Sequence, residues 1–189
     1  TLFLIPTGAG EPRTIDLHGV QFGWGNWFPD GKRILIGGNE PGHGARLFVY
    51  DVGGGAPRPI SPEGVGVLAQ AVSPDGKSIA ARGPDGRIAI YPVDGGPARP
   101  VPGLVPEDVP IRWVADGRSL YVAKLSALPG IIDIVDVTTG DRREWKRFNP
   151  PDPSGVEQAG PAMIAPDGST YVYSFRRNLG DLFLATGMR

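Results

Sequence analysis

A short turn, in which Asp-Gly follows Pro or Ala between two apolar runs, recurs at four regularly spaced places in this chain of 189 residues. Asp-Gly between apolar runs is a strong hairpin signal, because both residue types tolerate the left-handed backbone conformation. The four pairs are Asp30-Gly31, Asp75-Gly76, Asp116-Gly117 and Asp167-Gly168. They recur at intervals of roughly 40 to 50 residues, which is the period of propeller blades and similar arrays. The chain is therefore predicted to fold as a series of small repeated sheets.

A second signature recurs at the same period: an apolar strand, a glycine-rich turn and then an arginine that begins a short outer strand. The arginines are Arg13, Arg58, Arg99 and Arg143, and they are expected to pack along neighbouring strands or to pair with turn carboxylates. The two signatures together give four strands per repeat. They predict one all-β propeller fragment over residues 1–189, an open or partial arc of four to five antiparallel blades with about seventeen strands. Its parts are a half blade at 1–17, blades at 20–61, 64–103 and 107–148, and a three-stranded blade at 160–189.

Composition excludes several classes of function. The 29 glycines and 21 prolines fall at matching places in the repeats, so they indicate turns between strands and not disorder. A net charge of −1 and scattered basic residues provide no surface for nucleic acid. The absence of cysteine excludes thiol catalysis and thiolate metal sites. No apolar run is long enough to cross a bilayer, so no direct membrane insertion of this part is expected.

The repeat motifs resemble those of a known family of folds. Residues 73–77, Ser-Pro-Asp-Gly-Lys, and the later Tyr91 to Arg99 element are similar to the WD-like repeats of TolB-type β-propellers, over nearly the whole chain. This fold serves the TolB subunit of the Tol–Pal envelope system, the propellers of prolyl-oligopeptidase-like peptidases and bacterial sensor domains. Residues 167–184 are similar to the C-terminal end of acidobacterial-type serine/threonine protein kinases. That resemblance implies a parent anchored in a membrane, with this part on its periplasmic or extracytoplasmic side.

No catalytic motif occurs in the sequence. The lysine and aspartates of a kinase and the Gly-x-Ser-x-Gly elbow of a serine hydrolase are both missing. His18 and His43 lie in predicted loops, and the hairpin aspartates lie one per blade, where turn closure explains them better than metal binding. We therefore expect no catalytic residue, no cofactor and no metal in this chain.

The candidate binding residues lie in the loops that vary most between repeats. In an up-and-down blade, the links from the second to the third strand and those from one blade to the next emerge at one end, where recognition usually occurs. The predicted binding residues, which could also be ordinary solvated loop residues, are Trp24, Glu40, His43, Arg82, Asp85, Lys124, Arg176, Arg177 and Asn178. Trp24 belongs to an aromatic cluster in which alternation places Phe22, Trp24 and Phe28 on one sheet face and Trp27 on the other. That cluster could instead fill space between blades.

The predicted function is non-catalytic binding of a protein or peptide partner, or of a small ligand, by a sensor or interaction domain of a larger bacterial protein such as a serine/threonine kinase. One alternative is a periplasmic TolB-type scaffold that binds envelope proteins. Another is the substrate-gating propeller of a prolyl-oligopeptidase-like peptidase. Because the chain begins at Thr1 within an apolar run, it is expected to be part of a longer polypeptide. The open arc leaves strand edges that either pair with missing blades or join two copies into a homo-oligomer.

Overall fold

The computed structural model describes residues 2–66, 71–124 and 128–180, and every regular element within them is a β-strand. The all-β prediction is confirmed. The strands are β1 (Leu2–Leu4), β2 (Arg13–Ile15), β3 (Gln21–Trp27), β4 (Arg33–Asn39), β5 (Arg46–Asp51), β6 (Arg58–Pro59), β7 (Ser78–Arg82), β8 (Ile88–Pro92), β9 (Arg99–Pro100), β10 (Asp108–Trp113), β11 (Ser119–Lys124), β12 (Gly130–Asp136), β13 (Arg142–Phe148), β14 (Val156–Ile164) and β15 (Tyr171–Arg177).

The strands form five antiparallel sheets, and strands that follow each other in the chain are neighbours in the sheet. Sheet I contains β1 and β2, sheet II β3 to β6, sheet III β7 to β9, sheet IV β10 to β13, and sheet V β14 and β15. A two-residue reversal is enough to join antiparallel strands, so the frequent Gly and Pro turns suit this meander. The order is that of propeller blades.

Consecutive sheets pack face to face because both faces of their strands carry apolar residues. In β4, Leu35 packs with Ile79 of sheet III, whereas the next residue, Ile36, packs with Ile15 of sheet I. Leu35, Ile36 and Ile79 are fully buried. Alternation along one strand therefore joins a sheet to both of its neighbours.

The contact between sheets IV and V includes aromatic rings that lie against each other. Sheets III and IV meet mainly through aliphatic residues such as Ile90 and Leu120, together with Trp113. Within sheet IV, the ring centroid of Trp145 lies 4.8 Å from that of Tyr121; across the contact, it lies 5.8 Å from that of Tyr171 in sheet V, and both pairs have edge-to-face geometry. Edge-to-face pairs gain attraction from the ring quadrupoles beyond the area they bury.

The four hairpin turns share one geometry. In the first, the Gly31 amide donates to the Phe28 carbonyl at 3.0 Å, and Asp30 Oδ1 accepts the Lys32 amide at 2.8 Å. The equivalent amides donate to Asp75, Asp116 and Asp167, which confirms the turn-closing role of these carboxylates. Only the glycine of each pair has positive φ, between 64° and 72°. The turn is thus a type I turn followed by a left-handed glycine.

Two predicted strands are not among the strands of the described residues. The first strand of the 64–103 repeat is reduced to isolated bridges, Gly66 to Arg82 and Val72 to Ile79, and residues 67–70 between them lie outside the described residues. The third strand of the last repeat, predicted over 181–186, also lies outside them.

The recurring arginines link successive sheets. Arg13 of β2 donates to the Val52 carbonyl of sheet II at 2.8 Å, and Arg58 of β6 donates to the Val93 carbonyl of sheet III at 3.0 Å. These partners are main-chain carbonyls at equivalent positions after β5 and β8. In these two repeats the arginine bonds to the backbone of the next sheet and not to a turn carboxylate.

The five sheets form an open arc and not a closed ring, as predicted. Within the described part of the chain, β1 pairs only with β2. Pairing of such an edge with another copy stays a prediction. No candidate for a membrane-spanning helix occurs in the residues described.

Candidate functional site

The two groups of variable loops lie at one end of the sheets, here called the loop end. In sheet II, the loop between β4 and β5 contacts the segment that leads to sheet III: the Gly64 amide donates to the Ala45 carbonyl at 2.7 Å. His43 Nδ1 lies 2.8 Å from Glu63 Oε1, and the Gly44 amide donates to Glu63 Oε2 at 2.9 Å. The Gly44 amide, followed by His43, lowers the pKa of the Glu63 carboxyl. The predicted residue His43 therefore joins two loops.

Glu40, another predicted binding residue, closes its own loop. Its carboxylate forms an ion pair with Arg46 at the start of β5. The Arg46 guanidinium also lies over the Phe48 ring, with its central carbon 5.3 Å from the ring centroid. Both charges at this position are thus engaged within sheet II.

Arg82 and Asp85 are engaged with main-chain groups. Arg82 donates to the carbonyls of Gly86 and Asp108, and so connects the β7–β8 loop to the start of β10 in sheet IV. Asp85 Oδ1 accepts the Arg87 amide at 3.0 Å within the same loop. Asp85 also lines a cavity of about 470 Å³ whose other walls are mainly prolines and aliphatic residues of 100–106.

Asp108 carries a buried charge that the sequence did not single out. Its side chain is fully buried and forms an ion pair with Arg142, which also contacts Asp133 at 3.1 Å. Burial opposes the charge on Arg142, but the hydrogen bonds and charges of the two aspartates outweigh it and raise the pKa of the guanidinium. This network ties the start of β10 to β12 and β13.

The predicted residues of sheet V are also bound to a neighbouring loop. Arg177 forms an ion pair with Asp152 at 3.1 Å and donates to its carbonyl. Asn178 Nδ2 donates to Glu157 Oε1 at 3.3 Å. The Ser154 amide is the main cause of the lowered pKa of Asp152. Arg176 and Lys124 are exposed at the ends of their strands.

Trp24 is part of the core between sheets II and III. Its indole lies over Gly37, where an added Cβ would come within 2.2 Å of the ring. A β-bulge between Phe22 and Trp24 shifts the alternation, and the Phe22 ring lies beside Gly25 instead. The prediction that Phe22 shares a face with Trp24 is therefore wrong, because the extra residue in the bulge reverses the side that Phe22 faces. Trp27, on the opposite face from Trp24 as expected, is 53% exposed.

The predicted residues do not form one joined site. No side-chain hydrogen bond or ion pair links two of them within the described ranges, and their partners are mostly other segments of the loop end. Their role in binding stays a prediction. The described residues also contain no group of three potential His, Cys, Asp or Glu metal ligands.

A cavity of about 580 Å³ lies at the opposite end, here called the hairpin end. The residues directly before the four turn aspartates all line it: Pro29, Pro74, Ala115 and Pro166. They come from sheets II, III, IV and V, so four repeats meet around one space. This hairpin-end cavity takes the place of the central channel of a propeller.

Tryptophans and one arginine give the hairpin-end cavity its chemistry. The wall also includes the residues two positions before a lining Pro or Ala, namely Trp27, Val72 and Trp113. Among the described residues, Arg112 is the one charged residue of the lining. Trp113 is 5% exposed, and its indole N–H donates to the Ala71 carbonyl at 2.8 Å. Trp113 thus also supports the contact between sheets III and IV. Trp27 is free to offer its ring to a ligand.

Solved structures share this arrangement of sheets. The crystal structure of TolB from Acinetobacter baumannii matches with a TM-score of 0.60 and 18% identity, over 84% of this chain and 38% of that one. A putative TolB from Agrobacterium tumefaciens gives 0.56 and 20%, over 88% and 62%. The fold is that of a TolB-like β-propeller. A prolyl endopeptidase also matches, with a TM-score of 0.54 and 16% identity over 85% of this chain and 27% of that one.

These likenesses concern the fold. The chain spans less than two thirds of each of the two TolB structures. No family model and no curated protein matches the sequence. The comparisons give a kinase parent no support.

The sequence did contain a signal for the hairpin-end cavity. At the four hairpin turns, the residue directly before Asp-Gly is proline in three cases. The residue two positions before that Pro or Ala is tryptophan in two cases, Trp27 and Trp113. Proline at this position is explained by the type I turn, which favours it at the second residue. The tryptophans are not required by the turn. A large aromatic residue that recurs beside a turn at the inner strand is the feature that indicates the cavity.

Proposed function

We propose that this TolB-like propeller is a non-catalytic binding module that takes a segment of a partner protein into the hairpin-end cavity. The proposal rests on one observation: four equivalent turns surround a single cavity whose walls include aromatic residues. A cavity of about 580 Å³ lies within the range of about 300–1,000 Å³ that ligand sites occupy. Among the described residues, the lining includes no serine, histidine or carboxylate that could serve as nucleophile or base.

The nature of the wall favours a peptide segment. Exposed Trp27 and the prolines Pro29, Pro74 and Pro166 offer flat apolar surfaces around an open centre. Aromatic residues are enriched at protein interfaces because they bury a large area with little loss of side-chain freedom. The rigid turns hold these surfaces in place before a ligand arrives, which reduces the entropy cost of binding.

Finer assignments depend on different observations. A TolB-type scaffold that binds envelope proteins is supported by the likeness to the two TolB structures. A gating propeller of a peptidase has the weaker support of one prolyl endopeptidase structure, of which this chain covers 27%. A sensor domain of a serine/threonine kinase depends on the resemblance of residues 167–184 alone.

The proposal is tested with peptides selected by display on the wild-type chain and measured by fluorescence polarisation. Ala115→Trp would place a ring in the hairpin-end cavity from an exposed position, and we expect it to weaken binding about tenfold or more. Lys77→Trp is the matched control, because it adds the same ring to an exposed turn residue outside the lining. The double variant Arg176→Ala/Arg177→Ala probes the loop end. Loss of binding in this double variant, with normal binding by Ala115→Trp, would contradict the proposal.

A further inference from the structure

Arg112 is set into the hairpin-end cavity by an irregularity of its strand. The pairing of β10 with β11 shifts between Pro110 and Arg112, which marks a β-bulge. A bulge changes the direction of the side chain that follows it. Arg112 Nη1 donates to the Ile164 carbonyl of sheet V, and Arg112 lines the cavity beside Trp113.

The charge of Arg112 has no ion-pair partner among the described residues, although the side chain is half-buried. Arg46 and Arg142 are similarly covered by protein, and each forms an ion pair with a carboxylate. For Arg112 the one hydrogen-bond acceptor in the described part of the chain is the Ile164 carbonyl. A guanidinium has five N–H donors, so several remain available.

The electrostatic surroundings favour an added negative charge. Burial lowers the pKa of the Arg112 guanidinium, and the nearby Tyr121 and Asp167 offset only part of this effect. Asp167 is exposed and accepts hydrogen bonds from Ser169. A carboxylate beside the guanidinium would compensate its partial loss of hydration and could accept two parallel hydrogen bonds.

We propose that the hairpin-end cavity recognises a carboxylate next to an aromatic or large apolar group, with the carboxylate on Arg112 and the apolar group against Trp27 and Trp113. This inference rests on the proposed function and adds the chemical class of the ligand. The carboxylate could belong to an acidic side chain or to a chain terminus, since Arg112 would bind both by the same hydrogen bonds.

Matched small probes test this chemistry. N-acetyl-phenylalanine and N-acetyl-phenylalaninamide have the same ring and nearly the same shape, but only the first carries a carboxylate. Titrated into the ¹⁵N-labelled chain, the acid should shift the indole signals of Trp27 and Trp113 with an affinity at least about tenfold higher than that of the amide. A third probe, N-acetyl-Phe-Asp-amide, carries the charge on a side chain, and comparing it with the acid distinguishes the two sources.

Variants separate the charge from the fold. Arg112→Gln keeps an N–H donor for the Ile164 carbonyl but removes the charge, and it should abolish the preference for the acid. Arg112→Lys, which keeps a charge without the planar fork, should retain part of it. Arg143→Gln removes an exposed arginine of β13 outside the lining and should change nothing. Equal affinity for acid and amide, or no shift with any probe, would overturn the carboxylate proposal. The displayed peptides would still decide the proposed function separately.

Discussion

The two ends of the sheets use charged residues in different ways. At the loop end, charged side chains pair with each other, as Arg177 does with Asp152 and Arg46 with Glu40. At the hairpin end, the aspartates hold their own turns, and Arg112 lines a cavity without an ion pair among the described residues. Loops that differ in length need such contacts to hold one conformation, whereas turns of one geometry leave side chains available for a ligand.

The largest effect is expected where the cavity wall is also core. Trp113→Ala removes a buried ring and the indole hydrogen bond to Ala71, and it should lower the free energy of unfolding by about 4 kcal/mol. Trp27→Ala, at an exposed ring of the same wall, should cost less than about 1 kcal/mol. Urea unfolding measures both. Equal losses would show that the fold needs Trp27 as much as Trp113.

A large effect is also expected at the loop end, where the charge is buried. Arg142→Met leaves the fully buried Asp108 carboxylate without its cation, which should cost about 3 kcal/mol of unfolding free energy. The double variant Asp108→Asn/Arg142→Met removes both charges and should recover much of that loss. If the double variant is as unstable as the single variant, the pairing of charges is not what stabilises this end.

Acid should weaken the hairpin end through its aspartates. Turn hydrogen bonds hold the pKa of Asp30, Asp75 and Asp167 below the ordinary value of 3.8; for Asp116 burial works against this, but the amides of the turn outweigh it. A carboxyl whose folded pKa is lowered stabilises the fold above its ordinary pKa, and this contribution disappears as the pH falls through the folded value. The urea midpoint of the wild type should therefore fall below about pH 4.

A variant with asparagine at all four turn positions is the control for that titration. Asparagine keeps an acceptor oxygen for the turn amides but has no proton to gain in this range. Its urea midpoint should depend less on pH between neutral and acid conditions than that of the wild type. An identical pH dependence in the two chains would show that the turn aspartates do not contribute to acid sensitivity.

The smallest effect is expected for the exposed ion pairs of the loop end. His43→Ala removes the contact between His43 and Glu63. The His43 side chain is 56% exposed and the Glu63 side chain 47% exposed. Solvent screens such a pair, and the Gly44 amide still holds the Glu63 carboxylate. The urea midpoint should stay unchanged. A marked loss would mean that the loop end depends on surface pairs more than on the buried Asp108.

The sequence predicted the features that depend on local chemistry. The hairpins, the turn-closing role of Asp30 and its equivalents, and the all-β arc follow from Asp-Gly turns and apolar strands that recur at one period. The bulges at Phe22 and before Arg112 have no such local signal, and each changes where a side chain lies. A face assigned by simple alternation therefore failed at Phe22.

Long-range partners explain the rest. Glu63, Asp108 and Asp152, which bind the predicted loop residues, lie in other segments, and only the packing of sheets brings them close. The hairpin-end cavity likewise depends on how four distant turns are arranged around one space. Its lining could be recognised from sequence only by comparing equivalent positions of the repeats, where Trp27 and Trp113 recur.

The four tryptophans allow a direct test of where a ligand binds. Trp27 and Trp113 line the hairpin-end cavity, whereas Trp24 lies between sheets II and III and Trp145 lies on β13. The indole N–H signals of the ¹⁵N-labelled chain should be recorded during titration with a peptide selected by display. Our account predicts shifts for Trp27 and Trp113 and little change for Trp24 and Trp145. Saturating binding that leaves the Trp27 and Trp113 signals unmoved would contradict it.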